Sequence, residues 1–73
     1  MKLPVVSGPS VVKAFQKLGY VVDRQSGSHI VLRRADPPHG RLVVPNHQAV
    51  AKGTLRTLIK EAGLEVEDFV DLL

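Results

Sequence analysis

The stretch YVVDRQSGSHIVLRRADPPHGRLVV, residues 20–44, decides the fold. It contains three runs, 20–25, 28–34 and 41–44, in which β-branched, aliphatic or aromatic residues mix with polar ones at a period close to two. That period marks an extended chain whose side chains alternate between two faces. Turn chemistry separates the runs: Ser26-Gly27 first, then Asp36-Pro37-Pro38-His39-Gly40. Three short strands joined by short turns predict an antiparallel meander. If Ile30 and Leu32 face the core, alternation sends His29, Val31 and Arg33 to the opposite face.

Upstream of the strands the period changes to that of a helix. Val11, Ala14, Phe15 and Leu18 recur at i, i+3, i+4 and i+7. Ser7-Gly8-Pro9 reads as the start, with Ser7 able to cap free backbone N–H groups, and Gly19 reads as the stop. Lys13, Gln16 and Lys17 fall on the watery side, where solubility accounts for the lysines. Tyr20 ends the packing of this helix. Downstream, Pro45 closes the third strand and 46–52 reads as a loop. A second helix begins at Gly53-Thr54, with Thr54 as its cap or in its first turn; Leu55, Leu58, Ile59 and Ala62 form the stripe and Gly63 the stop. A last segment, 65–73, places Val66, Phe69, Val70 and Leu73 at helical spacing with acids on its other side. The order α-β-β-β-α plus a short acidic helix predicts an α+β layer structure. Its helices cover one face of a three-stranded antiparallel sheet and leave the other open.

Seventy-three residues, 44% of them apolar, suffice for one small core, so a single domain over 1–73 is expected. With no cysteine, neither a disulfide nor a thiolate zinc site can hold the chain together. Apolar stretches run to two or three residues, far short of the roughly 20 that span a bilayer. A soluble, cytoplasmic protein without membrane attachment is the expectation. The formal net charge of +3 conceals a division. Residues 1–60 carry all ten Lys and Arg against Asp23 and Asp36, a formal +8, whereas residues 61–73 carry five acids and no base. A body so basic points to a polyanionic partner, most simply nucleic acid, with the acidic tail turned away from it.

The chemical inventory is short. Carboxylates are too sparse in the basic body for a paired-carboxylate mechanism. His29, His39 and His47 show neither helical pairing nor cysteine companions, so no metal site is expected. His29 follows Gly27-Ser28 at a strand start, on the face left open. It is either an ordinary surface residue or a group placed to move protons near neutral pH, and spacing alone does not decide between the two. Gly27 either turns the chain or lets a bulky polyanion approach closely.

Three motifs in order carry a resemblance. Gly-Ser-His at 27–29, Val-Pro-Asn-His at 44–47 and Lys-Gly-Thr-Leu-Arg-Thr-Leu-Ile-Lys-Glu-Ala-Gly-Leu at 52–64 resemble the HicA family of toxin ribonucleases, and residues 11–20 resemble that family's first helix. The resemblance implies a double-stranded-RNA-binding-domain-like α-β-β-β-α fold. It also implies metal- and cofactor-independent cleavage of messenger RNA, and inhibition by a cognate HicB antitoxin whose complex sets the oligomeric state. His29 matches the family's catalytic histidine. On that basis His29 is the candidate catalytic residue, and Gly27, Ser28, Arg33, Lys52, Thr54 and Arg56 are the candidate RNA contacts. Lys52 and Arg56 gain from a helix start, whose free N–H groups favour phosphate. Arg33 shares a strand face with His29 and is the nearest cation for phosphate stabilisation. Arg24, Arg34 and Arg41 extend the candidate phosphate track; His39 and His47 read as solvated loop residues. The alternative is a non-catalytic RNA-binding module of the same fold. Glu65 departs from the family's capping Ser or Thr and leaves the start of the last helix open.

Overall fold

A computed structural model describes residues 3–34 and 40–73. The elements run α1 (Gly8–Gln16), β1 (Tyr20–Ser26), β2 (His29–Arg34), β3 (Arg41–Pro45), α2 (Lys52–Glu61) and α3 (Val66–Leu72). The three strands form one antiparallel sheet in the order β1-β2-β3, so the α+β meander expected from residues 20–44 is the fold. Most of the second turn, including His39, lies outside the described residues.

Local chemistry sets the boundaries. The Ser7 hydroxyl accepts from the Ser10 N–H at 3.2 Å, and Pro9 occupies the first turn of α1, where a missing donor costs nothing. Gly19 and Gly63 adopt φ of +100° and +76° at the two helix stops, a conformation that a Cβ disfavours. α2 starts at Lys52, one residue before the expected Gly53-Thr54. Ala51 is its N-cap and supplies no side-chain bond, and Thr54 lies inside the first turn. At α3 the capping comes from within the helix: the Asp68 carboxylate accepts the Glu65 N–H at 2.9 Å.

Phe15, Leu32, Leu42, Val44, Leu55 and Phe69 are fully buried in a core between the helices and one sheet face. Phe15 lies at its centre. Its ring meets Tyr20 edge-on at a centroid distance of 5.7 Å and Phe69 in a tilted contact at 5.4 Å. Phe69 therefore makes the short acidic helix part of the core, although α3 packs chiefly on α1 and α2. Lys17 is more than a solubilising charge: its ammonium donates to the Leu72 carbonyl at 2.6 Å, at the carbonyl end of α3 where a cation is favoured.

Phe69→Ala would leave a hole against Phe15 and should cost about 3–5 kcal/mol, a large share of the stability of so small a domain. Chemical denaturation should show the loss as a lower midpoint with a preserved m-value.

Candidate active site

β2 is the middle strand, and its register assigns every side chain of the open face. His29 pairs with Ser26 on β1 and Pro45 on β3, Val31 with Arg24 and Val43, and Arg33 with Val21 and Arg41. Directly paired residues share a face. The uncovered side of the sheet is therefore a row of His29, Val31 and Arg33 flanked by these partners. Val31 is nevertheless only 5% exposed, because it lies on the middle strand between the Arg24 stem and Val43, while belonging to no part of the main core.

His29 is exposed at the first position of β2. Gly27 opens the two-residue turn before it with φ +57°, the positive value that the first central position of a glycine-led hairpin requires. Three backbone hydrogen bonds fix the surroundings. Asn46 N–H donates to the Ser28 carbonyl at 2.6 Å, Gly8 N–H to the His47 carbonyl at 2.9 Å, and Val50 N–H to the Val6 carbonyl at 2.8 Å. The turn bearing Ser28, the start of α1 and the β3–α2 loop are thereby tied together at the His29 end of the sheet. Gly8 is needed at this crossing, since a Cβ there would run into the Pro45 carbonyl. Its place in the sequence looked like a helix start alone, and the contact with Pro45 has no local signal.

The loop then delivers α2. Lys52, Thr54 and Arg56 are exposed in its first turns, with no acid beside them and no side-chain cap on the backbone N–H groups. His47 is exposed in the same loop.

The arginines divide differently from the expected track. A β-bulge between Val22 and Arg24 lets Asp23 reach across to β2, where its carboxylate accepts from Arg33 Nε at 2.9 Å. Arg33 stands four residues along the strand from His29, about 13 Å at ~3.3 Å per residue. Arg34 is not on the open face. It pairs with Tyr20 on the helix side, half-buried, its guanidinium 5.9 Å from the centre of the Tyr20 ring. Arg24 and Arg41 are exposed on the open face with Arg33.

Among the described residues no three or more His, Asp or Glu side chains come together as a metal site, and no helix is long and apolar enough to cross a membrane.

The fold and the site together define a small α+β domain with one uncovered sheet face, lined by Arg24, Arg33 and Arg41 and carrying an exposed histidine at one end. Residues 8–64 match the family model described as HicA toxin of bacterial toxin-antitoxin, and the chain belongs to that family. It is thus a toxin-type component of a two-part system in which an antitoxin is the counterpart. Comparison with curated proteins yields no significant match.

Gly8→Ala should push the Pro45–Asn46 segment off α1 and cost about 1–3 kcal/mol, the range for overpacking a closed contact. Amide chemical shifts of Ser28, His29 and His47 should move in the variant while those of α3 stay in place.

Proposed function

We propose that the chain is the ribonuclease of its toxin–antitoxin system, cutting messenger RNA at a phosphodiester held over His29. One observation carries the reading: inside the span matched by the family model, His29 is an exposed imidazole at the edge of the uncovered sheet face, directly after a turn with positive φ. RNA supplies its own nucleophile. Its 2′-oxygen attacks the neighbouring phosphorus as its proton is removed, the bond to the 5′-oxygen breaks, and that oxygen takes up a proton. A neutral imidazole can remove the first proton and an imidazolium can supply the last, so His29 fits one of these two roles.

Added charge on the phosphate calls for cations and N–H donors. The first turn of α2 offers both through Lys52, Thr54 and Arg56. Gly27 and Ser28 permit the backbone to approach the RNA closely. Arg33, held by Asp23 and about 13 Å along the strand, is placed for a different phosphate from the one over His29. Because these contacts address backbone, transcript choice on this surface is weakly dependent on sequence. The reaction needs no metal or cofactor on this reading, and the setting is the cytoplasm. A HicB-type antitoxin covers the same basic surface with acidic side chains and sets the stoichiometry of the complex.

Incubating the purified protein with RNA in EDTA tests the assignment. Fragments should appear with wild type. They should fall by about 10²–10⁴-fold with folded His29→Ala, the usual worth of general acid–base catalysis. Undiminished cleavage by that variant overturns the role of His29, and RNA that is bound yet left intact by wild type identifies a non-catalytic binding module. Replacing Lys52 and Arg56 by Ala should both weaken RNA binding and slow association with the antitoxin, read by surface-immobilised kinetics at low salt.

A further inference from the structure

At the end of the open face away from His29, the register produces an arrangement that strand pairing alone disfavours. Arg33 and Arg41 stand directly opposite each other on β2 and β3, and like charges in that position repel. The bulge in β1 turns Arg24 onto the same face, one pair along, beside Val31. Three exposed guanidinium groups thus share one end of the sheet. Asp23 is the acid the described residues provide against them, and it takes a single bond, from Arg33 Nε. Both terminal amino groups of Arg33 are left without a partner among the described residues. An exposed ion pair of this kind is weak and readily exchanged.

We propose that Arg24, Arg33 and Arg41 form a second phosphate subsite, which grips RNA backbone more than one nucleotide from the bond over His29, and that Asp23 is the anion RNA displaces there. The inference rests on the ribonuclease reading for its ligand. Forked guanidinium groups are matched to phosphate oxygens, and three of them together suit consecutive phosphates of one strand. The separation from His29, about 13 Å, exceeds the spacing of neighbouring phosphates on one strand, so the subsite meets a phosphate more than one nucleotide away from the bond over His29. Between the two ends Val43 is 37% exposed beside the buried Val31, a small apolar surface against which a sugar or base can rest next to Arg24. One strand of RNA laid along β2 would therefore meet the histidine, this apolar surface and the arginines in sequence. Length of substrate, rather than its base sequence, is what such a subsite selects.

The test uses 2′-O-methyl RNA, in which the nucleophile is capped, so binding is read without cleavage. A trinucleotide, whose two phosphates are neighbours, and an oligomer of about twelve nucleotides, long enough to reach both ends of β2, are compared by fluorescence anisotropy. For Arg33→Gln/Arg41→Gln the longer oligomer should bind at least several-fold more weakly. Its log–log salt slope should become shallower by roughly 1.4, at ~0.7 for each phosphate of a single strand that is no longer neutralised. Trinucleotide binding should be unchanged. Asp23→Asn should tighten the longer oligomer and steepen its salt slope. Equal losses for both lengths, or unchanged binding of the long one, overturn the subsite. Weaker binding by Asp23→Asn overturns the competitor role of Asp23. Loss of antitoxin affinity with RNA binding intact would assign the arginines to the protein partner and so reject the proposal. Failure of the ribonuclease reading shows separately, as unmodified RNA left uncut by wild type.

Discussion

The hydrogen bond from the Asn46 N–H to the Ser28 carbonyl, 2.6 Å long, joins two turns that are 18 residues apart in the chain. Everything at the His29 end of the sheet depends on it and on its two neighbours, Gly8 to His47 and Val50 to Val6. They hold the hairpin turn beside the loop that launches α2, and the buried stripe Leu55, Leu58 and Ile59 then seats that helix under the sheet. Because all three are backbone bonds, the side chains of Asn46, His47 and Gln48 are left exposed, while Val50 turns into the core. Their cost falls on Gly8, which gives up a side chain so that α1 can start against Pro45.

Much of this was legible in residues 20–44 and their flanks. Period two gave the meander, period 3.6 gave α1, α2 and α3, and Gly19, Gly27 and Gly63 marked stops and a turn that all have positive φ. Alternation placed His29 and Arg33 on the open face. It failed where the backbone stops alternating. Strict alternation from Tyr20 assigns Arg24 to the helix side, and the bulge at Val22/Arg24 reverses that assignment while aiming Asp23 at Arg33. Arg34 is a candidate for the phosphate track by its charge, yet parity puts it with Tyr20 on the helix side of the sheet. The bond from Lys17 to Leu72 spans 55 residues and the approach of Gly8 to Pro45 spans 37, so no local pattern could encode either.

The division of charge along the sequence becomes a division in space. Of the five acids of residues 61–73, Glu61 ends α2 and the other four sit on α3 or at its N-cap; α3 packs against α1 and α2 and makes no substantial contact with the sheet. The sheet lies between them and the arginines of the open face, in a body whose shortest dimension is 17 Å. At an ionic strength near 0.15 M the screening length is about 8 Å, so the acidic helix scarcely offsets the field over that face. The net charge of +3 thus understates what a polyanion approaching from the open side would meet.

The packing of Phe15 on Phe69 also sets an order of events during synthesis. These rings are 54 residues apart in the chain, and the centre of the core is incomplete until the second has left the ribosome. At the usual ~5–20 residues per second, roughly three to eleven seconds separate their appearance. The histidine and the whole sheet emerge during that interval, before the helix that closes the core behind them. A domain built this way has its core closed behind the sheet only once Phe69 is available, which is the earliest point at which its working shape is complete.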